Sequence, residues 1–183
     1  MATSPKSQTQ VQIKSYPAPS PLATQTDLKP EEVQAITEAI NPLIADAFAL
    51  YTKTKNYHWH VSGSHFREYH KLFDQQAETI LKSTDTLAER VRRIGGTTIR
   101  SISHINQLQT IQDDNNDYVP AGEMTRQLME DNKRMAQMQR AAHEVCVRNH
   151  DVATGSVLET VINETERRTW YLFEVVQGMT NTD

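Results

Sequence analysis

The stretch Tyr51–Asp74, "YTKTKNYHWHVSGSHFREYHKLFD", decides the reading of this chain. It holds four of the seven histidines of the sequence, His58, His60, His65 and His70, within thirteen positions. Upstream of it, Val33, Ile36, Ile40, Leu43, Ala47, Tyr51, Thr54 and His58 recur at helical spacing, and His58 therefore falls on the apolar stripe of a first helix. The segment "VSGS" breaks that helix. A second helix is expected from Ser64 to Ile94, with Phe66, Tyr69, Phe73, Ala77, Ile80, Thr84, Leu87, Val91 and Ile94 inward and a Gly95-Gly96 stop. The quoted stretch is thus two helix ends and the turn that brings them together.

The second helix carries a second stripe, and it is polar: His70, Asp74, Asp85 and Glu89. At ~100° per residue, Asp74 and Asp85 differ by only ~20°, and the whole row covers ~100° of arc. His70/Asp74 and Asp85/Glu89 are each i,i+4 pairs, a spacing that lets two side chains share one ion. Most charged stripes are solvated faces. This one mixes imidazole with carboxylate, a set suited to first-row metals such as iron, and it lines up with His58. At 1.5 Å rise per residue, Asp74 and Asp85 lie ~16 Å apart along the axis, too far for one site. A two-fold axis near the middle of the helix would set it against an antiparallel copy. His70/Asp74 of one chain would then meet Asp85/Glu89 of the other, and isologous contacts of this kind are the commonest in oligomers. Carboxylate bundles that keep a di-iron site within one chain use Glu-x-x-His motifs, and none occurs here. HExxH is absent too, so a zinc protease is not indicated.

The rest of the chain reads as follows. Residues 1–27 form a tail: they hold four of the seven prolines, little apolar sequence, and only Lys6 and Lys14 as basic groups. Helical sequence begins at Leu28, with Pro30, Glu31 and Glu32 suited to a first turn. Pro42 should kink that helix or split it in two. Residues 97–121 are a long connection in which "SISHINQL" can form a short helix. In the same connection "DDNNDYVPAG" resembles a calcium loop but lacks its glycine and closing Glu, and reads as a polar turn. A third long helix is expected over Glu123–Asn149, with Leu128, Met135, Met138, Ala142 and Val145 inward. A fourth is expected to open on a Ser156/Glu159 capping box, with Val157, Val161, Ile162, Trp170, Phe173 and Val176 inward, and to stop near Gly178. Every glycine would then sit at an element boundary. The fold class is all-α. Four long helices with one long middle connection, itself holding a short helix, match a ferritin-like four-helix bundle over residues 28–179, with 180–183 as a C-terminal tail.

Composition narrows the function. A net charge of −4 disfavours a general grip on nucleic acid. A single cysteine, Cys146, rules out an internal disulfide, and this fits a reducing, cytoplasmic setting. No apolar run approaches a membrane span, and the N-terminus has no apolar core of a secretory signal.

The motifs from "YTKTKNYHWHVSGSHFREYHKLFD" through "STDTLAERVRRIGG" resemble the Dps mini-ferritins, DNA-binding proteins from starved cells. His58, His70, Asp74, Asp85, Glu89 and Gly95-Gly96 all fall on the family pattern. The resemblance implies a dodecameric cage of four-helix subunits. Such a cage oxidises Fe2+ with hydrogen peroxide or O2 at ferroxidase centres between subunits and stores ferric mineral inside, limiting oxidative stress. It further implies that His58, His70 and Asp74 come from one subunit and Asp85 and Glu89 from its mate, with Trp59 beside the site to pack or to take up stray oxidising equivalents. An alternative reading is a metal-sequestering cage, for zinc or iron, with little ferroxidase activity.

The sequence also departs from the family pattern. His60 and His65 are extra. His60 is ~200° from His58 on a helix and points away, whereas His65 could swing toward the metal and favour Fe2+ or Zn2+. Of the acids that line the family's pores only Asp151 is in place, Ser156 and Thr160 standing where some members carry acids, so a weaker electrostatic funnel is expected. His150, beside Asp151, is a candidate to approach a neighbour's centre. The lysine-poor tail predicts weak or absent DNA binding.

Overall fold

A computed structural model of the protein describes residues 22–180, and over this range the chain is built of helices alone. Five are present: α1 Pro30–His60, α2 Phe66–Arg93, α3 Ile102–Leu108, α4 Ala121–Arg148 and α5 Val152–Thr180. The short α3 is the helix expected within the connection. The α1/α2 and α4/α5 hairpins pack face to face, α1 against α4 and α2 against α5, and α3 lies on α1. This is the ferritin-like four-helix bundle with one crossover. Its core joins Ile36, Ile40, Leu43 and Leu50 of α1 to Phe73, Ile80 and Leu87 of α2, with Met124, Leu128, Leu158 and Leu172 closing it from α4 and α5. Each deeply buried Leu, Ile or Phe stabilises the fold by roughly 1.5–3 kcal/mol relative to exposure.

The helix boundaries have identifiable chemical causes. Pro30 opens α1, and the Glu32 carboxylate accepts from the Lys29 backbone N–H at 2.7 Å. Gly95 ends α2 at φ +88, and a Cβ there would stand 3.1 Å from the Thr24 carbonyl oxygen. That contact seats part of the expected tail: Thr24 Oγ1 donates to the Arg92 carbonyl at 2.9 Å, and Arg92 donates to the Leu22 carbonyl at 2.9 Å. Residues 1–21 of the tail expected over 1–27, and residues 181–183 of the one expected over 180–183, lie outside the described residues.

The crossover is fixed to α1 by polar side chains. The buried Asp46 carboxylate accepts the Ile111 N–H at 2.9 Å, the Thr110 N–H at 2.5 Å and the Thr110 hydroxyl at 2.9 Å. Lys53 donates to the Gln112 carbonyl at 3.2 Å and to Asp131 at 2.8 Å. Tyr57 donates to Asp114 at 2.5 Å. Asp114 also accepts the Asn116 N–H at 2.9 Å, and "DDNNDYVPAG" runs as polar coil up to Pro120, its last two residues already opening α4.

Several expectations need correction, and Phe66 is one of them: expected inward on α2, it is 46% exposed. Of the two outcomes expected at Pro42, the split does not occur: α1 runs unbroken through it. Its neighbours Ile40, Leu43 and Ile44 are all buried, and their packing outweighs one missing backbone bond. The last helix opens a turn before Ser156. Asp151 caps it by accepting the Thr154 N–H at 2.9 Å and the Thr154 hydroxyl, and the Ser156/Glu159 capping box is not formed. Gly155 consequently lies inside α5 rather than at a boundary, on the side facing His143. Finally, Trp170 and Phe173 point outward, 56% and 45% exposed. The inward stripe of α5 is Thr154, Leu158, Val161, Thr165, Arg168 and Leu172.

Candidate metal centre

The turn between α1 and α2 sets the candidate site. Gly63 at φ +93 and His65 at φ +60 both take the left-handed conformation, which glycine adopts freely and histidine more readily than most residues. The His65 carbonyl then accepts the first N–H groups of α2, from Glu68 at 3.0 Å and Tyr69 at 3.2 Å. The reversal lays the end of α1 against the start of α2, so His58 and His70 meet.

Their meeting is reciprocal. His58 Nδ1 is 2.7 Å from the His70 carbonyl oxygen, and His70 Nδ1 is 2.8 Å from the His58 carbonyl oxygen. The rings stack with centroids 3.8 Å apart. A carbonyl only accepts, so each Nδ1 carries the proton and each Nε2 keeps its lone pair. His58 Nε2 lies 3.8 Å from Asp74 Oδ1. Two unprotonated imidazole nitrogens beside a carboxylate fit a first-row metal ion.

Lys55 stands beside these side chains and was not singled out in the sequence. Its ammonium donates to Asp74 Oδ1 at 2.7 Å and sits 5.8 Å from the centre of the Trp59 ring. That hydrogen bond holds the Asp74 carboxyl below the usual carboxylate range. The signal available was its place one turn before His58, on the same face of α1. Trp59 itself is 62% exposed, so it is not packed within its own subunit.

Asp85 and Glu89 are exposed further along α2, and Glu89 accepts from Arg93 at 2.5 Å. Among the described residues no three His, Cys, Asp or Glu side chains converge tightly enough to hold an ion. His60 folds back on α1, its Nδ1 2.8 Å from the Asn56 carbonyl oxygen. His65 is exposed, and its backbone forms the turn. His150 takes the left-handed conformation at φ +62 in the α4–α5 turn and lines a surface cleft with Lys29, Glu32, Arg90 and Arg93, at the Glu89 end of the bundle. Asp151, expected as a pore acid, is only 5% exposed and is paired with Arg90 at 3.1 Å, so its charge is already matched.

A helical bundle with one crossover, with imidazole and carboxylate side chains on α1 and α2, has the architecture of the ferritin-like proteins. Residues 37–181 match the ferritin-like domain family, and the chain belongs to it, among the Dps mini-ferritins. An uncharacterized low temperature-induced protein of Nostoc sp. is 31% identical, the match covering 82% of this chain and 85% of that one. DNA protection during starvation protein 2 of Bacillus anthracis is 27% identical over 75% of this chain and 93% of its own. The solved Dps protein of Bacillus brevis superposes with a TM-score of 0.78 at 27% identity, covering 81% of this chain and 99% of that one. Among the described residues no helix is long and apolar enough to cross a membrane.

Proposed function

We propose that this protein oxidises Fe2+ and stores the ferric product, at sites built between subunits of a dodecameric cage. His58, His70 and Asp74 supply one half of each site, and the partner subunit's Asp85 and the partner subunit's Glu89 supply the other. The observation that carries this reading is the reciprocal His58–His70 pair, because both Nδ1 atoms are spent on backbone carbonyls and both Nε2 atoms are left for a ligand. The substrate Fe2+ would take the place of the Lys55 ammonium at Asp74 Oδ1. Hydrogen peroxide or O2 accepts the electrons, and removing Fe2+ in this way protects against oxidative damage. His65 and His150 stand as candidate additional ligands, supplied at the turn and from a neighbouring chain.

Mixing Fe2+ with each oxidant separately, and following ferric absorbance, tests the reading. Fast ferric formation that collapses in His58→Ala and Asp85→Ala supports it. Uptake of Fe2+ or Zn2+ without ferric formation would favour the sequestering reading instead.

A further inference from the structure

Among the described residues, the bundle buries a positive charge that no carboxylate pairs with directly. Arg168, on the inward stripe of α5, is 6% exposed. Its Nε donates to Asn132 Oδ1 at 2.8 Å, its Nη2 to Thr165 Oγ1 at 2.8 Å, and its Nη1 lies 3.5 Å from Thr79 Oγ1. These are all neutral oxygens, and they use only part of the guanidinium's fork of donors. Among the described residues no carboxylate lies within ion-pair distance of it. Glu164, the nearest acid to influence it, is paired with Arg167 at 3.5 Å. Burial lowers the Arg168 pKa to about 10, and the nearby Glu164 charge offsets only part of this. An unmatched buried charge is destabilising unless something polar fills the gap.

A gap is present. A cavity of about 80 Å3 opens between α2 and α5, lined by Gln76, Thr79, Arg168, Glu164, Arg167 and Tyr171. Gln76 is 4% exposed, its Oε1 has no partner among the described residues, and its amide nitrogen reaches only the Arg168 carbonyl at 3.4 Å. Turning that amide over would put its N–H donors where Oε1 now stands without a partner, at the loss of one long contact. The lining then combines the Arg168 guanidinium, the Gln76 amide and the Thr79 hydroxyl with a Glu164 carboxylate whose charge Arg167 already matches. At roughly 30 Å3 per water it has room for a few waters or one tetrahedral ion.

We propose that this cavity binds one small inorganic oxyanion of the phosphate class per chain, held by Arg168 with Gln76 and Thr79. The site is separate from the metal row: Gln76 is two residues from Asp74 and so ~200° around α2 from it.

Equilibrium dialysis of metal-free, full-length protein against radiolabelled phosphate tests this, together with thermal unfolding in phosphate and in chloride at matched ionic strength. The wild type should bind one phosphate per chain saturably and melt higher in phosphate. Gln76→Glu places a carboxylate beside Arg168, does the anion's work itself, and should stay folded. It should weaken phosphate binding about tenfold or more and abolish the phosphate-dependent shift. Arg168→Met should lose binding too, and if it fails to fold, Gln76→Glu decides the matter. A wild type that binds no phosphate, its cavity holding water alone, or a Gln76→Glu variant that binds like the wild type, overturns the proposal.

Discussion

His58 and His70 each hydrogen-bond the other's backbone carbonyl, at 2.7 and 2.8 Å, across the α1–α2 turn. The same two contacts lock the helix hairpin and select the tautomer that leaves both Nε2 atoms free. Substituting either residue should therefore reduce both stability and iron oxidation. His70→Ala removes one contact and its ring, and should lower stability by about 1 kcal/mol while cutting ferric formation far more steeply. Denaturant midpoints and oxidation rates measured on the same preparation check this. A variant that loses stability but keeps its oxidation rate would separate the lock from the chemistry.

Lys55 occupies the oxygen of Asp74 that a metal ion would take. Lys55→Met should tighten binding of Fe2+ measured without oxidant. Asp74 is partly exposed, so the stability change should stay below about 1 kcal/mol. Weaker Fe2+ binding in Lys55→Met would mean that the ammonium positions Asp74 rather than competing for it.

The Tyr57–Asp114 bond gives a pH test. Tyr57 donates to Asp114 and is the main cause of that carboxyl's lowered pKa. A folded pKa below the unfolded one gives stability that is present above the unfolded value and lost as pH falls through the folded value. Tyr57→Phe should therefore be less stable near neutral pH by about 1 kcal/mol, and the gap should close on acidification below about pH 4. Melting temperatures from pH 7 to pH 3 measure it. A gap that stays constant with pH would sink the assignment.

Asp46 should matter most to the crossover. Asp46→Ala would strand the buried Ile111 N–H along with that of Thr110, at about 1–3 kcal/mol for each unmet group. Urea unfolding should show a loss of at least about 2 kcal/mol, and a loss under about 0.5 kcal/mol would contradict the structure.

DNA binding should be weak. A net charge of −4 and two lysines in the first 27 residues give little for phosphates to pair with. A gel shift at about 150 mM salt should show no retardation at sub-micromolar protein. Tight binding there would reassign the tail.

How much was legible in the sequence depended on whether the buried face was also the apolar face. The buried stripe of α2 from Phe73 to Val91 is mostly apolar, Phe73, Ala77, Ile80, Leu87 and Val91 standing with only Gln76 and Thr84 between them, so its period could be read directly. The same clarity made the His70–Asp74–Asp85–Glu89 row visible. The α5 helix inverts the rule. It buries Thr154, Thr165 and Arg168, satisfied by bonds such as Thr165 Oγ1 to the Val161 carbonyl at 2.8 Å, and it exposes Trp170 and Phe173. A reading that sends apolar residues inward therefore mistakes its face. Lys55 was hidden for another reason: its partner Asp74 lies across a turn, 19 residues on, where no helical period connects them.

The central claim is that each oxidation site is shared by two chains. Asp74→Ala and Glu89→Ala variants should each be inactive alone, since every site then lacks a ligand. Co-expressed, they form mixed dimers in which one of the two sites is intact: it joins the unaltered His58, His70 and Asp74 of one chain to the unaltered Asp85 and Glu89 of the other. With random pairing, ferric formation should recover to about a quarter of the wild-type rate. No recovery above the separate variants, in cages verified to contain both chains, would contradict the shared site.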